Sequence, residues 1–161
     1  LLMRAIEAEI APFCRRRGIG ILGYVTLMQG VLAGDFASFD ELPEMRTRTR
    51  HFHGGRPNSR HGEAGFEPET WQALQAIRSI ARTENIPLAD LAIAWALANP
   101  DITCVLAGCR SLGQLEENVR AVSLRLPPPV VERLNAATAP LLARLGNNPD
   151  YYQSLAKTRV W

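Results

Sequence analysis

Apolar residues recur along this chain in two periods, one helical and one of short continuous runs. Ile6, Ile10 and Phe13 stand at helical spacing, with Glu7 and Glu9 early and Arg15, Arg16 and Arg17 late. That order suits both ends of a helix dipole, and Gly18 follows as the expected C-cap glycine. Gly20 to Leu27, GILGYVTL, reads as a strand, and so does Ile102 to Leu106, which is rich in β-branched residues and closed by Ala107 and Gly108. Between the two runs the helical period predicts a helix from Trp71 to about Thr83, entered through Pro68, Glu69 and Thr70, with Leu74, Ile77, Ile80 and Ala81 on one face. Asn85 and Ile86-Pro87 break it. Leu88 to Ala98, LADLAIAWALA, is apolar nearly all round, which predicts a buried helix with Trp95 in the core. Asn99-Pro100 ends it.

After the second strand, Ser111 opens another helix, with Leu115, Val119 and Val122 as its apolar stripe. Leu124 to Pro129 turns the chain, and Val130 to Leu142 forms a last helix through Val131, Leu134 and Leu141. The tail, Gly146 to Trp161, is polar, with Tyr151, Tyr152 and Trp161 in it, and is expected to pack back over the domain. Two strand-to-helix crossovers predict a parallel α/β arrangement. Periodicity alone does not distinguish an open sheet from a barrel.

Bulk properties narrow the picture only slightly. The 161 residues suffice for one domain, and 47% hydrophobic and 21% charged residues are ordinary for a globular protein. A net charge of +2 points to neither a nucleic-acid nor a membrane partner. Cys14, Cys104 and Cys109 form no C-x-x-C pair, which suggests reduced thiols and a cytoplasmic protein. Leu1-Leu2-Met3-Arg4 runs straight into helical periodicity, and the start reads as a cut through a longer protein.

The chemistry is concentrated at Ile102 to Asn118, ITCVLAGCRSLGQLEEN. Strand, tight turn and helix follow one another, and Ser111 with Gln114 forms a capping box. Open N–H groups and the dipole at such a helix start favour an anion, and Arg110 adds a planar fork suited to phosphate. Glu117 and Asn118 offer an acceptor and an amide to a base or sugar.

Gly108, Arg110, Gln114, Glu117 and Asn118, spaced G-x-R-x-x-x-Q-x-x-E-N, resemble the signature that follows the last barrel strand of aldo-keto reductases. The resemblance implies a grip on the adenosine 2′-phosphate and adenine of NADP(H). The run Y-V-T-L-M-Q-G from Tyr24 is similar to the family's Y-S-P-L-x-x-G, with Tyr24, Leu27 and Gly30 matching and Val25-Thr26 replacing Ser-Pro. By that likeness Tyr24 stacks on the nicotinamide and the following loop meets the pyrophosphate. Asp35 stands where the family often carries a phosphate-binding lysine, and cannot inherit that role. The likeness covers nearly the whole chain, including PLADLAIAWALANPDITCVLAG, and is strongest in the bacterial branch that also resembles potassium-channel β subunits. It implies an α/β fold, the C-terminal part of a (β/α)8 TIM barrel, with residues 1–161 as a single partial domain. It also implies a small carbonyl or alcohol substrate and an N-terminal half of the barrel as partner.

Residues 37 to 68 carry prolines, glycines, Arg46, Arg48, Arg50, Arg56, Arg60, His51, His53 and His61 with little periodicity. Two readings are open: a flexible flap that closes one arginine on a dinucleotide's phosphates, or a solvated insertion. No cysteine or acidic cluster completes a metal-ligand set around His51-x-His53. Family chemistry needs a tyrosine acid whose pKa is lowered by a lysine. Lys157, in the tail, is the single lysine, so no residue is assigned as catalytic acid. The expectation is the cofactor-binding half of a reductase; the alternatives are an NADP(H)-sensing module without turnover and a half-barrel that acts only when assembled with a second chain.

Overall fold

Proline decides where the first helix begins. A 3-10 turn occupies Ala5–Glu7, and α1 runs only from Ile10 to Arg17. The continuous helix predicted from Ile6 is interrupted because Pro12 has no N–H to offer the Ala8 carbonyl. Gly18 closes α1 in the left-handed region at φ 65°. Arg15 leaves α1 to form a bidentate pair with Asp101, at 2.6 and 2.5 Å, tying the helix to the start of the second strand. The computed structural model describes residues 1–159.

The first strand, β1, spans Ile21–Gly23 and stops well short of the predicted Leu27. Val25 takes φ 56°, a left-handed conformation that takes the chain out of the extended region directly after Tyr24. The second strand, β2, spans Ile102–Val105. The two pair in parallel, Ile21 with Ile102, Leu22 with Cys104 and Gly23 with Val105. A register shift falls between Ile21 and Leu22, where the Thr103 hydroxyl accepts the Ile21 N–H at 3.0 Å.

The crossover between the strands contains α2, Glu67–Thr83, and α3, Leu88–Ala98. Helix α2 starts a turn earlier than predicted because Pro68 lies within its first turn, where a missing N–H costs nothing. After β2 come α4, Leu112–Ser123, and α5, Pro128–Leu145. Helix α5 outruns its predicted end at Leu142 and is closed by Gly146, whose N–H donates to the Leu142 carbonyl at 2.9 Å.

The core lies among helices rather than on the sheet. Leu74 and Ile77 of α2, Leu91 of α3, and Leu134 and Leu141 of α5 are buried together with Val31, Leu32, Phe39 and Phe52. Trp95 is in this core as predicted, its Nε1 donating to Asn135 Oδ1 at 2.9 Å. Helix α4 departs from prediction. Its stripe of Leu115, Val119 and Val122 is exposed, Val119 by 60%, and only Ala121 is buried. Leu22 is 63% exposed on β1, and among the described residues the sheet has two strands only.

Segment 37–68 is not a solvated insertion. Phe39, Thr47, Thr49, Arg50, His51, Phe52 and His61 are buried, and Phe39 meets Phe52 and Trp71 edge-on, each at 5.0 Å between ring centroids. Arg50, 2% exposed, is held by Glu63 at 2.8 Å, and Arg56 by Glu67 and Asp40. The tail does pack back. Tyr151 is buried, its hydroxyl accepting the Ala5 N–H at 2.9 Å and its carbonyl the Arg50 N–H at 2.8 Å. Trp161 lies outside the described residues. Among the described residues no helix is long and apolar enough to cross a membrane.

Candidate functional site

The turns that leave the C-terminal ends of β1 and β2 face each other across a cleft of about 550 Å³. The β1 turn contributes Val25, Thr26, Leu27, Gln29 and Gly30; the β2 side contributes Leu106 to Arg110 and, from α4, Gln114, Glu117 and Asn118. All the residues predicted to hold a cofactor line this cleft except Tyr24. Two short strands suffice to place them, because parallel pairing brings both C-terminal ends to one side.

The capping box forms with a one-residue offset. Ser111 Oγ accepts the Gln114 N–H at 3.3 Å, and Gln114 Oε1 accepts the backbone N–H of Arg110, not of Ser111, at 2.8 Å. The side chain that caps α4 therefore also fixes the backbone that carries Arg110. Gly108 leaves open space beside its Cα, with nothing within 4 Å of where a Cβ would stand.

Segment 37–68 supplies one arginine to the cleft, and it is Arg46. Gly30 sits at φ 94°, and a Cβ there would approach Arg46 NH1 to 2.9 Å, so the guanidinium lies directly over the glycine. Among the described residues neither Arg46 nor Arg110 is ion-paired, and Glu117 is the single carboxylate of the lining. Asn118 Nδ2 is buried without a hydrogen-bond partner. An unmatched buried donor and two unpaired guanidiniums in one cleft call for an acceptor-rich anionic ligand.

Tyr24 is 70% exposed and lines an adjoining groove with Met3, Ile6, Ile10 and Tyr152. Val25 borders both spaces. Asp35 lies elsewhere, exposed and 4.0 Å from Arg78 NH2. Lys157 is exposed in the tail. The histidines serve the loop itself. His51 Nδ1 meets the Thr49 hydroxyl and Nε2 the Leu2 carbonyl, each at 3.0 Å, and burial pushes its pKa down to about 4. His53 and His61 each accept a backbone N–H through Nδ1, from Gly55 and Glu63. Among the described residues no group of His, Cys, Asp and Glu could hold a metal ion.

Sequence reasoning missed Arg46 and Gln29. Five arginines in one aperiodic segment carry no signal that singles out Arg46, and Gln29 sits within Y-V-T-L-M-Q-G as an unremarked position.

A cleft at the C-terminal ends of parallel strands is where α/β proteins hold nucleotides and other phosphorylated ligands. The chain belongs to the aldo/keto reductase family, whose model matches residues 1–139. Its fold is accordingly part of a (β/α)8 barrel. A probable voltage-gated potassium channel subunit beta of Oryza sativa is 27% identical over 133 residues, 81% of this chain and 39% of that protein. An NADP(+)-designated aldo-keto reductase of Schizosaccharomyces pombe is 28% identical over 147 residues, covering 83% and 41%. An NADH-specific methylglyoxal reductase of Escherichia coli is 29% identical over 130 residues, covering 78% and 36%. The glycerol dehydrogenase of Gluconobacter oxydans matches in structure with a TM-score of 0.61 and 22% identity, over 89% of this chain and 40% of that one. The chain thus spans about two fifths of the length of these relatives.

Proposed function

We propose that the cleft between the β1 and β2 turns binds NADP(H), and that the chain is the cofactor-binding part of a reductase acting on a small carbonyl or alcohol. The observation that carries this reading is the pair of unpaired arginines, Arg46 and Arg110, facing one cleft from two elements. The residues fit the group. Arg110, held by Gln114 beside the start of α4, suits a terminal phosphate; Arg46 above Gly30 suits a pyrophosphate; the orphaned Asn118 amide suits a base nitrogen. Gly108 leaves room for close approach, and Leu27 supplies an apolar wall.

When bound, NADP(H) supplies the hydride exchanged with a carbonyl carbon. The chain's own residues bind and orient it: guanidinium groups neutralise its phosphates, and the Tyr24 ring offers a platform at the mouth of the adjoining groove. No proton donor for the carbonyl oxygen is assigned here. The sole lysine, Lys157, is exposed in the tail and forms no hydrogen bond to a tyrosine among the described residues.

Relatives named for NADP(+) and for NADH make cofactor choice the sharpest test. Fluorescence titration of the chain with NADPH and NADH is expected to show tighter binding of NADPH. Arg110→Ala should remove ~1–3 kcal/mol of that binding and most of the preference, the scale of a lost charge-assisted contact. Equal affinities in the unaltered chain would overturn the assignment of Arg110 to the 2′-phosphate.

A second reading, cofactor sensing without turnover, is favoured by the likeness to potassium channel beta subunits. It shares the cleft and differs only in whether NADPH is consumed.

A further inference from the structure

The β1 turn is held in an unfavourable backbone. Val25, Met28 and Gln29 all have positive φ, at 56°, 46° and 55°. Left-handed backbone at a non-glycine costs energy, most of all at a β-branched residue, and persists only where the surroundings over-determine it. The β1 turn forms one wall of the cleft, so whatever holds it there also shapes the site.

Gln29 is where the restraints converge. In the amide orientation that satisfies every neighbour, its oxygen accepts from the Tyr152 hydroxyl at 3.0 Å and from Arg48 NH2 at 3.3 Å, while its nitrogen donates to the Met45 carbonyl at 3.2 Å. Arg48 also stands over the Tyr152 ring, 5.7 Å from its centroid, and its Nε donates to the same Met45 carbonyl at 2.8 Å. Three segments distant in sequence therefore meet on one amide: the β1 turn, the loop that carries Arg46, and the tail. Gln29 itself lines the cleft, and two further lining residues flank this junction, Gly30 next to Gln29 and Arg46 between Met45 and Arg48.

The tail's grip is itself anchored. Tyr151 is fixed by Ala5 and Arg50, and Leu155 donates its N–H to Glu63 Oε1 at 2.9 Å. Tyr152 is thus presented to Gln29 from a firm base, partly buried, with burial pushing its hydroxyl pKa up. The phenol stays protonated at neutral pH and remains a donor.

We propose that Tyr152 is a positioning residue for the cofactor cleft, acting through Gln29 to keep the strained β1 turn and the Arg46 loop in the conformation that binds a dinucleotide phosphate. This rests on the reading of the cleft as an NADP(H) site. It assigns the tail a task in cofactor retention although Tyr152 does not line the cleft.

The test is NADPH titration and stopped-flow release on the 161-residue chain, with thermal unfolding alongside. Tyr152→Phe keeps the ring under Arg48 and removes only the hydroxyl. It should raise the Kd for NADPH on the order of tenfold, the weight of about one hydrogen bond, mainly through faster release and with little change in Tm. Gln29→Gly relaxes the φ 55° requirement and deletes the amide. In that background Tyr152→Phe should change Kd less than about twofold, because its route to the cleft is gone. Equal effects of Tyr152→Phe in both backgrounds would overturn the proposal, as would an unchanged Kd in Tyr152→Phe while Arg110→Ala still weakens binding. If the unaltered chain binds no NADPH, or Arg110→Ala and Arg46→Ala bind as it does, the cofactor reading fails first and this inference with it.

Discussion

At the residue scale, the cofactor reading divides into positions that the cleft unites and one that it does not. Leu27, Gly30, Gly108, Arg110, Gln114, Glu117 and Asn118 face one space, whereas Tyr24 faces the groove beside it. The proposed nicotinamide platform at Tyr24 therefore lies outside the cleft, next to Val25, which borders both spaces. If the ring of Tyr24 is the platform, Tyr24→Ala should weaken NADPH binding by ~0.5–1.5 kcal/mol, and Tyr24→Phe should be nearly silent. Equal losses in the two variants would instead show that the hydroxyl, and not the ring, holds the cofactor. The backbone around Tyr24 was not legible in advance. A sequence of apolar and aromatic residues continuing to Leu27 reads as strand, and only packing forces Val25 into a left-handed conformation.

At the scale of elements, segment 37–68 shows how aperiodic sequence can still be core. Periodicity reports one-sided burial of a regular element, so a segment that buries residues from several short turns leaves no such trace. Phe39 packs edge-on against both Phe52 and Trp71, and Arg50 is buried because Glu63 neutralises it. Phe52→Ala should therefore lower the unfolding free energy by about 3–5 kcal/mol in urea titration, the cost of emptying a core aromatic site. A loss under about 1 kcal/mol, the range of surface substitutions, would restore the solvated reading of the segment. Helix α4 presents the opposite case. Its apolar stripe was legible, but the stripe faces solvent, because amphipathic spacing states which face must be covered and not what covers it.

At the scale of the whole molecule, exposed apolar surface and open strand edges go together. Leu22, Leu106, Leu115, Val119 and Val122 are exposed, and a parallel sheet of two strands offers unpaired N–H and C=O groups on both outer edges. A closed (β/α)8 barrel leaves no open strand edge and rings its strands with helices, so the rest of such a barrel would cover both. On its own the purified chain is expected to self-associate in sizing experiments and to show no steady NADPH consumption with carbonyl substrates. A monodisperse monomer with turnover that Tyr24→Phe or Lys157→Met abolishes would place the proton donor in this chain.

The sequence by itself determined the order of helices and strands, the parallel α/β class and the turn and capped helix start between Gly108 and Asn118. These depend on local spacing, on capping residues and on turn residues, all of which act within a few positions of one another. It did not determine which loop arginine reaches the cleft, why Gln29 matters, or that Thr49, Arg50 and His51 are interior. Those outcomes depend on segments far apart in sequence meeting in space: Arg46 over Gly30, Tyr152 on Gln29, Arg50 against Glu63 and Tyr151. Only the tertiary structure decides such meetings, because a side chain's burial and its hydrogen-bond partners are properties of the packed neighbours and not of the residue's own stretch of chain.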